Sequence, residues 1–432
     1  MNSRNREKEG VELVDVQSLR IGMFVELDVG WLSHPFPVGS FKISSTKQID
    51  TIGGLGQAKI RVNWAKSDPD PDAVPPPSAQ QLAAAAERAA AAQREAASRQ
   101  AHTEQLAAQQ RSLVVCERRF GEAVRLYRKT LELIPSQPKV AAQHCHTMVS
   151  GFVGEMLAEG ESAIRLLSEA AGDKSSMHPV NVTIVSLLLG KAMGLGQAEL
   201  VDLGMAAFLH DVGKVQLPDR VRWLEDNFST AEYKLYQEHV AQSVQAAKSM
   251  ELSKPALLAI AQHHELVDGS GFPMRAKGES MALCARILAL VNRYDNLCNP
   301  SRAAAAMTPH ESLSLIFAQL KTKFDSVALS AFIRMMGVYP PGSVVQLMDD
   351  RYAMVVSVNS SRPLKPRVIV HDTGVSKHEA LILDLEHHPG VSIRRSLKPA
   401  ALPAAAMDFL APRQRVSYFF ESVSDSQMGG LA

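Results

Sequence analysis

Two histidine pairs near the middle of this chain carry donors spaced for metal chemistry. His210-Asp211 is followed by Val-Gly-Lys, with Lys214 one turn further on. His263-His264 runs into Glu265 and then into a Gly/Pro loop, DGSGFP, at 268–273. His178 stands before Pro179, and His239 lies in YQEHV. Neutral imidazole and carboxylate are the donors that iron, manganese and zinc accept. A carboxylate beside a histidine can bridge two cations while the imidazole holds one, and a bridged pair can clamp the attacking and leaving oxygens of a phosphoryl group. The chain has fourteen histidines, and the others have no comparable cluster around them. Even the tight run Gln143-His144-Cys145-His146 reads as ordinary helix and surface. One HD dipeptide arises easily by chance. HDxGK followed by HHExxDGxGFP does not.

The segments HPVNVTIVSLLLGKAMGL, FLHDVGKVQLPD, HHELVDGSGFP and ARILALVNRYDNLCN resemble the HD-GYP phosphodiesterases of bacterial cyclic di-GMP signalling, over residues 175–320. Phe272 stands where that family has Tyr. The resemblance implies a helical HD-type bundle and two divalent metal ions, iron or manganese. It places the ligands on His178, His210, Asp211, His239, His263, His264 and Asn292, with Asp211 as the bridge. It puts Lys214 on the scissile phosphate, Asp295 beside the site in orientation or proton handling, and Arg302 as the nearby base for substrate phosphates. Because cations lower the pKa of water, no side-chain nucleophile is required. The implied reaction is hydrolysis of cyclic di-GMP to linear pGpG or GMP. Asp268, Gly269, Gly271, Phe272 and Pro273 match a family loop implicated in docking diguanylate cyclase (GGDEF) domains, and read equally as a turn that places His263 and His264.

Three positions depart from the family. Position 292 is Asn where an Asp ligand is usual, Lys174 stands where three-metal members have Glu, and PSRAAAA replaces a basic segment. They define the alternative: a catalytically weak or inactive member acting as a cyclic di-GMP sensor or interaction scaffold.

Elements must hold these residues in place, and the hydrophobic pattern outlines them. Residues 112–338 carry apolar residues at helical spacing almost throughout, punctuated by Gly and Pro. Residues 11–67 read as a small strand-rich domain with a short helix, a Gly-rich turn and a closing strand. That stretch also resembles an uncharacterised domain often fused to HD-GYP units. Gly53, Gly54 and Gly56 lack the GK[ST] ending of a phosphate loop and read as a turn. Residues 68–111 are a Pro/Asp linker and then an Ala-rich helical spacer, poor in the Leu, Ile and Val of a coiled-coil seam, although a homodimer is compatible with it. After Tyr339-Pro340-Pro341-Gly342 the period shifts to strands, which predicts a small β domain over 339–402 and a tail over 403–432. The expected class is mainly α with a small β-containing domain at each end.

With 46 Lys+Arg against 45 Asp+Glu, the net charge of +1 gives no electrostatic case for a nucleic acid polymer. Four scattered cysteines without a CxxC pair argue against a disulfide framework. MNSRNREKEG lacks the apolar run of a signal peptide and no stretch is long and apolar enough for a membrane span, so the expected location is cytoplasmic.

Overall fold

A computed structural model describes residues 10–28, 30, 34–72, 78–158, 162–168, 174–223, 228–359 and 362–422. It divides into two compact units, residues 1–94 and 95–432.

In the first unit, alternating residues build β1 (Val11–Asp15), β2 (Phe24–Glu26), β3 (Ser40–Lys42) and β4 (Lys59–Asn63), with α1 (Thr46–Gly53) before the last strand. The antiparallel order is β1-β4-β2-β3. Val25, Ile43, Ile52, Ile60 and Val62 close a small core of their own. The short helix, Gly turn and closing strand fall where the sequence places them.

In the second unit, helices form wherever an apolar stripe recurs at 3.6-residue spacing. α2 (Ala79–Leu133) is one continuous helix that spans the division between the units. Its Ala-rich start buries little, and its buried face begins only at Cys116, Phe120, Ala123, Val124 and Tyr127. The expected spacer thus continues without a break into a core helix. There follow α3 (Pro138–Ala158), β5 (Ser162–Leu166), α4 (Lys174–Ala192), α5 (Gln197–Leu209), α6 (Thr230–Ser249), α7 (Lys254–Gln262), α8 (Leu283–Cys298), α9 (Pro309–Gln319) and α10 (Ser326–Met336). α4 packs on both α5 and α8, and α7 packs on α5, α6 and α8. The mainly α class with small sheets is the observed one.

Strands return with β6 (Val344–Leu347), β7 (Tyr352–Asn359), β8 (Arg367–Val370), β9 (Ile382–Asp384) and β10 (Ile393–Leu397), followed by α11 (Ala404–Leu410) and β11 (Tyr418–Ser422). They do not stand apart as residues 339–402 alone. The antiparallel sheet runs β10-β6-β7-β5-β11, with β8 also on β7 and β9 on β8. β5 comes from the middle of the helical region, and β11 lies inside the expected tail. The physical reason is a single core: one buried apolar cluster runs from Cys116 through Leu209 and Leu290 to Phe420. Tyr418, Phe419 and Phe420 are each at most 3% exposed. Among the described residues no helix is long and apolar enough to cross a membrane.

Candidate metal centre

Five elements deliver the clustered side chains. His178 is in the second turn of α4, His210 caps the C-terminus of α5, and Asp211 follows at the start of a tight 3-10 turn over Val212–Gln216. His239 lies mid-way along α6, and His263 and His264 end α7. The spacing HDxG has a steric reason. A Cβ on Gly213 would stand 2.4 Å from the His239 carbonyl oxygen and 2.5 Å from the Ser243 nitrogen, so only glycine lets the turn press against α6. The Gly213 N–H then donates to Ser243 Oγ at 2.9 Å. This contact brings Asp211 within reach of His239.

The DGSGFP loop is built by similar means. A Cβ on Gly271 would lie 2.5 Å from the His264 carbonyl oxygen, so the loop can fold back on the His264-Glu265-Leu266 backbone. Glu265 is fully buried and accepts from the Met274 N–H at 2.6 Å and the Ala276 N–H at 2.9 Å. The carboxylate of the HHE motif therefore pins the loop. Phe272 stacks on the His264 ring with centroids 4.5 Å apart, and is half-buried. Phe272 is therefore partly covered, because the loop's apolar ring packs on His264 and Tyr236. Met274, 78% exposed, is presented instead.

Asp211 divides its two oxygens between two histidine sets. Oδ2 lies 3.5 Å from His178 Nε2 and 3.3 Å from His210 Nε2. Oδ1 lies 3.5 Å from His239 Nε2 and 3.7 Å from His263 Nε2, with His264 completing the second set. The Nδ1 atoms point the other way. His210 Nδ1 donates to the Ala207 carbonyl at 2.7 Å, His263 Nδ1 to Ile260 at 2.6 Å, and His239 Nδ1 to Tyr236. His178 Nδ1 donates to Asp295 Oδ2 at 2.6 Å. These bonds assign the proton to Nδ1 and leave the Nε2 lone pair facing inward. Lone pairs then meet: His178 and His210 Nε2 are 3.3 Å apart and His239 and His263 Nε2 are 3.4 Å apart, with His264 Nε2 3.2 Å from His239 Nε2.

The donor chemistry fits two divalent cations. Facing lone pairs repel unless a cation lies among them, and Asp211 Oδ1 is a buried carboxylate oxygen with no hydrogen-bond partner among the described residues. Burial drives His178 and His263 below the usual imidazole range, and drives His264 well below it. Burial, reinforced by the Lys214 charge, pushes His239 down to about 3. Burial alone would raise Asp211, but His210 and Lys214 outweigh it and hold the carboxyl well below its usual range. Neutral imidazole and ionised carboxylate are the forms that bind metal.

Lys214 is buried with its Nζ 2.6 Å from Asp211 Oδ2 and 5.0 Å from the centre of the Trp223 ring. Burial opposes its charge, yet Asp211 and Tyr236 keep its pKa above the ordinary lysine value. A pocket of about 80 Å³ opens beside it, lined by Tyr127, Ser175, Asp211, Lys214, Arg222 and Trp223 among others. Arg302 does not line this pocket: α8 carries it past the site into an exposed turn. The base at the mouth is Arg222, whose Nε donates to the Lys214 carbonyl at 3.2 Å. Its signal in the sequence was only proximity to HDVGK. Tyr236 was also missed, although it precedes His239 by one turn and so shares its helix face. Its hydroxyl lies 3.4 Å from His264 Nε2.

Two further site residues fall on α8. Asn292 is 3% exposed, and its Oδ1 accepts from Asn296 Nδ2 at 2.7 Å. Asp295 reaches the His178 ring from behind, at the nitrogen turned away from Asp211. The Lys174 side chain lies outside the described residues.

Buried histidines and a shared aspartate at the ends of packed helices define an HD-type metal centre. Residues 162–327 match the family model described as HD domain, and residues 13–145 match a domain of unknown function, DUF3391. Residues 162–327 thus form an HD domain, and the HDxGK and HHExxDGxGFP motifs on this centre are of the HD-GYP type. It is similar to the Pseudomonas aeruginosa protein named Cyclic di-GMP phosphodiesterase PA4108, at 24% identity over 368 residues covering 84% of this chain and 86% of that protein. It is also similar to the Xanthomonas campestris protein named Cyclic di-GMP phosphodiesterase response regulator RpfG, at 31% identity over 153 residues covering 35% of this chain and 40% of that one. Among solved structures, Bd1817, an HDG"Y"P protein from Bdellovibrio bacteriovorus, aligns with a TM-score of 0.42 and 13% identity over 74% of this chain and 98% of that chain.

Proposed function

We propose that this chain is a metal-dependent phosphodiesterase that hydrolyses cyclic di-GMP to linear pGpG, GMP or both. The observation that carries the proposal is the division of Asp211 between two sets of inward-facing imidazole nitrogens. His178, His210 and Asp211 would hold one cation, and Asp211, His239, His263 and His264 the other. Their nitrogen-rich donor set suits iron or manganese better than magnesium. When bound, the pair would supply Lewis acidity toward a phosphoryl oxygen and lower the pKa of water.

The chain's own residues then handle the substrate. Lys214 brings a positive charge to the pocket wall, where it would meet the negative charge that builds on the phosphoryl oxygens. Trp223 and Tyr236 flank that ammonium, and Arg222 adds a second cation at the rim. The pocket is small beside the about 300–1,000 Å³ of usual ligand pockets and suits a phosphate group. The scissile phosphodiester would enter first, with the guanosines held outside or in an opened conformer. A diguanylate cyclase docking on the 268–273 loop would meet Met274 and Pro273, because Phe272 is stacked on His264.

The test is metal content and turnover measured on one preparation purified without oxygen. Two transition-metal ions per chain with hydrolysis of cyclic di-GMP are expected, and Asp211→Ala should abolish both. Two ions and tight dinucleotide binding with no hydrolysis would move the chain to the sensor reading. Protein that takes up neither iron nor manganese would refute the metal centre itself.

A further inference from the structure

Behind the metal centre lies a second polar cluster, wholly buried, that reaches the last strand of the chain. Asp295 accepts three side-chain hydrogen bonds. Oδ2 takes the His178 Nδ1 proton at 2.6 Å, and Oδ1 takes one proton each from Asn181 Nδ2 and Asn299 Nδ2, both at 2.9 Å. Each amide spends its second N–H on the Val416 carbonyl, at 2.8 and 2.9 Å. Their oxygens accept from backbone as well: Asn181 Oδ1 from the Tyr418 N–H and Asn299 Oδ1 from the Val416 N–H, both at 2.9 Å. His178, Asn181, Asp295 and Asn299 are all at most 6% exposed.

This pattern permits no other arrangement. Flipping either amide would turn its oxygen on the Asp295 carboxylate and its NH₂ on a backbone N–H, and both contacts would become repulsive. The two asparagines are therefore held by the backbone at Val416 and Tyr418, and they in turn fix the Asp295 carboxylate. That carboxylate fixes the His178 ring, with Nδ1 protonated and Nε2 facing Asp211. A carboxylate behind a ligating imidazole sets ring orientation and ligand basicity.

We infer that the backbone at 416–418, acting through the Asn181–Asn299 clamp on Asp295, is a positioning element for the metal held by His178, His210 and Asp211. These backbone groups lie outside the 162–327 stretch that matches the HD domain. The strand is itself firmly held. β11 pairs with β5 just ahead of α4, the Leu167 N–H donates to the Ser417 carbonyl at 2.9 Å, and the Arg119 guanidinium lies over the Phe419 and Phe420 rings. Asn181 and Asn299 are thus positioning residues and touch no reacting atom.

The inference rests on the metal-centre reading, and its test separates the two. Wild type, Asn181→Ala and Asn299→Ala are loaded with Mn²⁺. Ions per chain are counted, each ion's affinity is measured by chelator competition, and the Mn²⁺ spin-resonance spectrum reports whether two ions are coupled. Circular dichroism and thermal unfolding establish that each variant is folded. Each variant should lose 10- to 100-fold in affinity for one ion and keep the other. The coupled spectrum should give way to that of a single ion, matching His178→Ala. A uniform loss at both ions would mark general loosening and overturn the inference, as would two ions at wild-type affinity. If neither variant folds, the clamp serves folding and the inference is equally wrong. Wild type that takes up no Mn²⁺ would instead refute the metal centre, and the clamp's role with it.

Discussion

At the residue scale, the tasks of the candidate metal donors rest on which nitrogen or oxygen each turns toward its neighbours, and histidines with a carboxylate at unusual spacing are rare enough to read in the sequence. His178, His210, Asp211, His239, His263 and His264 do converge. Asp295 and Asn292 were harder, because residue type cannot tell a carboxylate that holds metal from one that holds a ligand's far nitrogen. The structure puts Asp295 behind His178 and gives the Asn292 oxygen to Asn296. Two substitutions separate roles here. Lys214→Met keeps much of the side chain's bulk but removes the ammonium on Asp211 Oδ2. Metal content should stay at two per chain while turnover falls roughly 10²-fold or more, the scale for loss of one preorganised donor. Metal analysis beside single-turnover hydrolysis checks both halves. Asn292→Asp adds a carboxylate to the helix face one turn ahead of Asn296, whose NH₂ is already in place to support it. With both forms fully metal-loaded, hydrolysis should rise about tenfold, equivalent to about 1.4 kcal/mol of barrier. An unchanged rate and unchanged metal affinity would place position 292 outside the coordination shell.

At the element scale, periodicity located the helices, yet the centre depends on their closest approaches, which periodicity does not encode. Gly213 is the clearest case. It reads as one letter of a motif, but its missing side chain lets the turn after Asp211 lie against α6. Glu265 is another: it follows two candidate ligands in sequence and reads as a third, whereas it holds the backbone of the 274–276 loop. Gly213→Ala should force the turn off α6 and draw Asp211 away from His239. A stability loss of about 1–3 kcal/mol, typical of overpacking, should accompany selective loss of the metal bound with His239, His263 and His264. Denaturant titration and metal counting report the two effects separately. A variant with wild-type metal content would show that the approach is looser than its 2.4 Å contact implies.

At the scale of the whole molecule, sequence and structure part company over where the second unit ends. A strand period after residue 339 resembles a separate β domain, and the stretch after 402 reads as a tail. Local pattern carries no information about pairing partners, so nothing in SYFFES declares that it joins β5, a strand some 250 residues earlier. The consequence can be tested by ending the chain at residue 402. That truncation removes Tyr418, Phe419 and Phe420 from the core, each worth about 1.5–3 kcal/mol when fully buried. Their sum, about 5–9 kcal/mol, rivals the total stability of an ordinary domain, about 5–15 kcal/mol. It also removes the backbone groups that hold Asn181 and Asn299, and strips the Arg165–Glu421 pair, leaving a nearly buried guanidinium alone. The shortened chain should therefore fail to fold cooperatively and should bind no metal. A chain of residues 95–432 should behave oppositely, because the whole 116–420 core and both histidine sets lie within it. It should unfold in one transition at the full-length midpoint and retain two ions per chain. Calorimetry and metal analysis on both pieces decide the matter: a cooperative, metal-loaded 1–402 fragment would show that the last strand is an accessory.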